Sequence, residues 1–208
     1  MTLRPSRRLP PHAPGMRIGL YGGSFDPPHA GHRHVALTAL RRLRLDRVWW
    51  TVTLGNPLKD QSRLAARSER LAATRRIARH PRMVVTDIDA ALGAVYTVDT
   101  LRFVLRRCPG VRFCWIMGAD SLAGFHRWRS WREIATRVPL AVVDRPGWTV
   151  RGPRAKAAVA LGPSRVPEVR ARTLPGRKPP AWVLLHGPRS TLSSTALREK
   201  ARAPMRRL

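Results

Sequence analysis

The chain has 208 residues, 43 % of them hydrophobic, which suits one well-packed core and excludes a disordered protein. Forty Lys and Arg stand against twelve Asp and Glu, a formal net charge of +28, and only four of the basic residues are lysine. No apolar run approaches the roughly 18–20 residues of a membrane span. The two cysteines, Cys108 and Cys114, exclude a disulfide framework or a zinc knuckle.

Residues 1–15, "MTLRPSRRLPPHAPG", are basic and Pro-rich without the apolar centre of a secretory signal, and read as a disordered leader. The pattern places a domain start at Met16. "MRIGLYGG" (16–23) reads as a buried strand ending in glycines, and "GHRHVALTALRRLRL" (31–45) as a helix with Val35, Leu37, Leu40 and Leu43 on helical spacing. "RVWWTVT" (47–53) is a second strand, rich in β-branched and aromatic residues. A loop (54–62), a helix (64–80), a strand (82–88) and a helix (97–108) follow. A strand (111–117) then leads through a turn at Gly118 into a short helix, followed by a helix (130–137) and a strand (139–145). Residues 149–180 carry little periodicity and read as a poorly defined loop region with a short helix at 154–161. A late strand (181–187) precedes a cap-rich helix (190–203), and 204–208 is a tail.

Strands alternate with helices almost throughout. This is the pattern of an α/β, Rossmann-like, doubly wound fold with a mostly parallel sheet and helices on both faces. Ligands bind such sheets at the carboxyl ends of the strands. The turns at 22–32, 54–60, 118–128 and 190–198 all follow strands, so they are expected on one edge. The two thiols read as reduced core cysteines of a cytoplasmic protein.

In the first turn, "GGSFDPPHAGH", Gly22 and Gly23 allow a phosphate close to backbone N–H groups, and Gly31 opens a helix whose positive end favours anions. His29 and His32 are three apart and point to one side of a first helical turn. Imidazoles so placed can donate to a phosphate and to charge developing on it; an N-cap His or a satisfied surface His is the plainer alternative. A metal site would need a third ligand, which the neighbourhood lacks. At the other end, "SSTALR" puts Ser193, Ser194 and Thr195 at a helix start with Arg198 one turn in; taken alone the segment reads as a helix cap, and beside the first motif the three hydroxyls and the Arg read as an anion cradle.

"GGSFDPPHAGH", with His29-Ala30-Gly31-His32, resembles the (H/T)-x-G-H signature of the nucleotidyltransferases. "NPLK" (56–59), "YTVDTL" (96–101), "WIMGADSLAGFHRW" (115–128), "DRPG" (144–147) and "LSSTALR" (192–198) narrow the resemblance to the bacterial nicotinate-mononucleotide adenylyltransferase family, over residues 16–203 as a single domain. The resemblance implies adenylyl transfer from ATP to nicotinate mononucleotide, with Mg²⁺ carried on ATP and no metal held by the protein. It implies His29, His32 and Arg198 as the catalytic groups. ATP contacts are implied at Gly22, Gly23, Ser24, Phe25, His29, His32, Gly118, Asp120, Arg145, Ser193, Ser194, Thr195 and Arg198. Contacts to the acceptor are implied at Asn56, Lys59, Thr97 and Trp128. The family often carries a "PPHK"-like run where this chain has Pro57-Leu58-Lys59, so Leu58 removes an imidazole and leaves the cation.

Other acceptors, nicotinamide mononucleotide or phosphopantetheine, are the alternatives within the class; a basic nucleic-acid-binding protein is the alternative outside it. The arginines are spread along the whole chain with no aromatic–basic RNA motif, so no specific nucleic-acid partner is expected, nor a membrane partner. The sequence leaves the oligomeric state open. A chain beginning at Met16 is expected to fold and remain active; a truncated protein that fails to show a cooperative thermal transition would overturn the placement of the domain start.

Overall fold

The computed structural model describes residues 8–187 apart from 56, 59, 63 and 150. Six strands form one sheet: β1 (Arg17–Gly23), β2 (Arg47–Val52), β3 (Met83–Thr86), β4 (Arg112–Gly118), β5 (Leu140–Val143) and β6 (Trp182–Leu185). Their spatial order is β3-β2-β1-β4-β5-β6, and every pairing is parallel. Parallel neighbours need crossovers. They are supplied by α1 (Ala30–Arg42), α2 (Arg67–Ile77), α3 (Ile88–Leu92), α4 (Thr97–Arg107), α5 (Ala119–Gly124), α6 (Trp131–Arg137) and α7 (Lys156–Ala160). No helix among the described residues is long and apolar enough to cross a membrane.

Strand side chains alternate between two cores, because successive residues of a strand face opposite sides. Trp50, Cys114, Ile116, Ala141, Val183 and Leu185 join α1, α2 and the 3-10 turn Glu168–Gly176 on one face. Ile18, Leu20, Trp49, Phe113, Trp115, Leu140, Val142 and Leu184 join the remaining helices on the other. Since both faces are covered, the strands read in sequence as nearly continuous apolar runs. The cysteines lie in different cores: Cys114, on β4, in the first and Cys108, at the end of α4, in the second, both free. Burial pushes the Cys114 thiol up to about 12, so it stays protonated.

Several local features differ from the sequence-based expectation. The face of α1 that meets the sheet is Val35, Ala36, Ala39 and Leu40, while Leu37 is half-buried and Leu43 caps the helix. The third strand stops at Thr86, two residues early, because the Thr86 hydroxyl accepts from the Ile88 N–H at 3.3 Å and turns the chain into α3. The stretch 149–180 packs through long-range contacts rather than periodicity. Ala171 and Leu174 are buried, and the Val166 N–H donates to the Trp182 carbonyl at 2.7 Å. Residues 8–15, within the segment read as a leader, lie against the domain. Pro10 is buried, the His12 ring meets Trp49 edge-on at 5.8 Å, and the Gly15 N–H donates to the Gly110 carbonyl. The helix expected at 190–203 lies outside the described residues.

Gly19, in the middle of the central strand, has no room for a side chain. A Cβ there would collide with the tips of Ile116 and Leu45. Gly19→Ala is expected to cost about 1–3 kcal/mol through overpacking. The cost should appear as a lower thermal midpoint, with the far-ultraviolet circular dichroism of the folded state unchanged.

Candidate functional site

The sheet order changes direction at β1: crossovers run outward through β2 and β3 on one side and through β4, β5 and β6 on the other. The cleft between the carboxyl ends of β1 and β4 is the place where such sheets bind ligands. A cavity of about 720 Å³ opens there. Its volume falls in the range of small-molecule and cofactor sites.

Every predicted site residue that the structure describes lines this cavity: Gly22, Gly23, Ser24, Phe25, His29, His32, Thr97, Gly118, Asp120, Trp128 and Arg145. Asn56, Lys59, Ser193, Ser194, Thr195 and Arg198 lie outside the described residues, so the expected approach of Arg198 to the histidines does too. Pro57 and Leu58 are on the cavity wall.

At the mouth of α1 the two histidines cap the helix reciprocally. The Gly31 N–H donates to His29 Nδ1 at 3.1 Å, and the His29 N–H donates to His32 Nδ1 at 3.2 Å. This is a capping box built from imidazoles. Its chemical consequence is a choice of tautomer. A neutral imidazole whose Nδ1 accepts must carry its proton on Nε2. Both rings, with centroids 3.8 Å apart and planes tilted by 37°, thus hold their N–H on the side away from the backbone. His29 is 4 % exposed, and its Nε2 has no partner among the described residues. Burial, reinforced by the Arg145 guanidinium and opposed by Asp120, lowers the His29 pKa to about 4. At neutral pH the ring is therefore an uncharged donor.

The glycines make room. A Cβ on Gly22 would meet the Trp115 ring at 2.5 Å, and one on Gly23 the Phe25 ring at 3.0 Å. At the end of β4, Gly118 leaves space for Asp120, whose Oδ2 accepts from Arg145 Nη1 at 2.9 Å. Asp120 Oδ1 is buried without a partner among the described residues, a free acceptor beside the cavity. Arg145 reaches this point from the end of β5, which is how "DRPG" and "GAD" meet across 25 residues.

Trp128 is held edge-on between Trp115 (6.1 Å) and Phe125 (5.3 Å) and presents the rest of its ring to the cavity. Trp131 packs against the core instead. Thr97 begins α4, whose N-cap, Tyr96, makes no side-chain cap bond to the helix. Asp99, two residues on, pairs with Arg102 at 3.1 Å.

Sequence reasoning missed Tyr21, Asp89, Tyr96 and Arg129, which also line the cavity. Arg129 stacks over the Tyr96 ring at 4.7 Å. Asp89 is buried and accepts from the Thr100 hydroxyl at 2.7 Å, and burial raises its carboxyl to about 6. No spacing signal could have found it, because a lone Asp in a five-residue helix looks like a turn residue.

The cytidylyltransferase-like family model matches residues 20–200. A probable nicotinate-nucleotide adenylyltransferase of Methylorubrum extorquens is 60 % identical over 185 residues, covering 89 % of this chain and all of that protein. One from Brucella suis is 53 % identical over 184 residues, covering 88 % and 95 %. Among solved structures, Plasmodium falciparum nicotinic acid mononucleotide adenylyltransferase complexed with NaAD superposes with a TM-score of 0.66 at 17 % identity, covering 88 % of this chain and 83 % of that one; at that identity the likeness is one of fold.

Capping and ligand donation by His29 can be separated. Asparagine keeps an acceptor for the Gly31 N–H but has no Nε2, whereas alanine loses both, and the lost cap costs about 1 kcal/mol. His29→Asn is expected to match the wild-type thermal midpoint more closely than His29→Ala, while both lose activity. The folded state resists protonating His29 between pH 6.5 and about 4, and the unfolded chain does not. The contribution of this ring to stability is thus present above pH 6.5 and lost as pH falls towards 4. That component of the pH dependence should vanish in His29→Asn.

Proposed function

The chain belongs to the cytidylyltransferase-like family and, within it, to the nicotinate-nucleotide adenylyltransferases, and from that premise we propose that its cleft transfers the adenylyl group of ATP to nicotinate mononucleotide. The 5′-phosphate of the acceptor attacks the α-phosphorus in line, the bond to the β-phosphate oxygen breaks, and pyrophosphate leaves. The product is nicotinate adenine dinucleotide. The nucleophile is already an anion, so no general base is required, and catalysis reduces to positioning and charge stabilisation.

The observation that carries this reading is the imidazole capping box. It presents two Nε2–H donors at a helix N-terminus directly over the switch point of the sheet, the His29 ring held neutral by burial. Charge growing on the phosphate oxygens is met by preorganised donors that need no reorientation. The backbone at Gly22 and Gly23 leaves room for the triphosphate, and Mg²⁺ arrives bound to it. Arg198, with Ser193, Ser194 and Thr195, would close the phosphate end. Asn56 and Lys59 would reach the acceptor from the second loop. Asp120 offers an acceptor oxygen to sugar hydroxyls, with Arg145 beside it. Trp128 supplies a flat platform for the pyridine ring.

The acid is favoured over the amide by the other helix mouth in the cavity. The first turn of α4 has no side-chain cap bond, and the guanidinium of Arg129 sits over Tyr96 next to it. Both features favour a carboxylate over a neutral carboxamide. Reduced thiols and small soluble substrates accord with a cytoplasmic enzyme.

Pyrophosphate release from ATP, with nicotinate mononucleotide, nicotinamide mononucleotide and phosphopantetheine added singly, tests the assignment. The first should be the preferred acceptor by kcat/KM. His32→Ala should lower turnover by about two to three orders of magnitude with the fold intact. Near-normal turnover in that variant would reject the role given to the histidines. Salt-sensitive retention on nucleic acid without ATP turnover would favour the nucleic-acid reading instead.

A further inference from the structure

Arg70, on α2, is 3 % exposed, although it belongs to a residue type almost never fully buried unless paired. It does not line the cavity. Its neighbour one turn back, Arg67, pairs with Asp87 at 2.7 Å. The guanidinium of Arg70 makes its hydrogen bonds to main-chain carbonyls in three separate segments. Nη1 donates to Ser24 at 2.7 Å and to Thr53 at 2.9 Å, and Nε donates to Ala65 at 3.0 Å. Burying a cation is costly; the Asp26 carboxylate nearby offsets part of that cost, and the cation joins the ends of β1 and β2 to the start of α2.

What it holds is a strained piece of chain. Phe25, the residue after Ser24, has φ +48°, in the left-handed region that a bulky L-residue avoids. Such conformations persist only where the surroundings over-determine them. On one side of Phe25 the Ser24 carbonyl is gripped by Arg70. The Thr53 N–H ties the preceding Gly23 carbonyl at 3.0 Å. On the other side the Phe25 ring lies edge-on to His32 at 5.2 Å, and the His32 ring packs at a tilt against His29 at 3.8 Å. A continuous set of contacts therefore runs from a buried guanidinium to both phosphate-facing imidazoles.

We propose that Arg70 is a positioning residue for adenylyl transfer: it fixes the Ser24–Phe25 main chain and, through the Phe25 ring, the placement of His32 and His29, while touching neither substrate. The proposal rests on the transfer reaction assigned above. Misplacing reacting groups by about 1 Å costs on the order of 100-fold in rate. The effect of losing Arg70 should therefore fall on kcat rather than on KM for the acceptor, whose pyridine end lies across the cavity at Thr97 and Trp128.

The experiment compares wild type, Arg70→Ala and Arg70→Lys by steady-state kinetics, thermal melting and ¹⁵N spectra of the imidazole nitrogens. Folded Arg70→Ala should lose about 100-fold in kcat, with a much smaller change in acceptor KM. Methylguanidinium, well below denaturing concentration, should restore a large part of the loss, and ammonium should not. Should Arg70→Ala fail to fold, Arg70→Lys is decisive. It keeps the charge but cannot span three carbonyls, and is expected to melt cooperatively with a lowered kcat. A folded variant with wild-type kcat overturns the proposal. So does a loss that merely tracks the unfolded fraction with no rescue. The failure of the reaction assignment is distinguishable, because wild type would then be inactive with nicotinate mononucleotide. The imidazole spectra would still decide the question: shifted His29 and His32 resonances support the linkage, and unchanged resonances in a folded variant overturn it.

Discussion

The parallel pairing of β1 with β2 on one side and β4 on the other is the constraint from which the cleft follows. Parallel strands end on a common edge, so "GGSFDPPHAGH", the loop after β2, "GAD" and "DRPG" are delivered to one place without any contact between them in sequence. Changing direction at β1 leaves a gap between the loops that follow β1 and β4. Apolar cores cover both faces of this sheet, and the glycines at its upper end keep the gap open.

On that scaffold the two histidines do two jobs with different atoms. Nδ1 of each satisfies a backbone N–H at the start of α1, which any good cap could do. Nε2 is then left as the donor, held on the far side of a rigid ring, a reach that the shorter asparagine or serine lacks. Because the cap fixes ring and tautomer together, the donor geometry is set before a ligand arrives. Burial of His29 keeps it neutral through the physiological range, so it contributes a directed dipole rather than a mobile charge. Arg70 belongs to the same logic at one remove, since it holds the bent main chain against which the second ring rests.

The large positive charge plays a different part. Acidic side chains are few, and several are engaged by arginine: Asp46 by Arg17, Asp87 by Arg67, Asp120 by Arg145, and Glu133 by both Arg102 and Arg137. Those on the surface, at Asp46 and Glu133, contribute little because solvent screens them, whereas the Asp87 and Asp120 pairs are partly buried. The remaining arginines surround the molecule with a positive field, which draws in anionic small molecules without specifying them. Specificity belongs to the cavity, whose described lining sets Asp26, Asp60, Asp89 and Asp120 against Arg127, Arg129 and Arg145.

Much of this was already written in the chain. Apolar runs at 16–23, 47–53, 111–117, 139–145 and 181–187 announce strands buried on both faces, and the i, i+3 spacing of His29 and His32 places both on one turn whatever surrounds them. These are local properties, set by side-chain period and by turn chemistry. What only the tertiary structure decided are the long-range choices. Residues 149–180 have no period because their packing partners are distant: Trp182 for Val166, and the first core for Leu174. Asp89 faces the cavity only because Thr100 and α4 fold over it. Among forty basic residues, nothing in the local sequence of "RSERLAATRR" distinguishes Arg70 from its neighbours. It is buried because α2 docks where three carbonyls need a donor, and that coincidence exists only once the strands have come together.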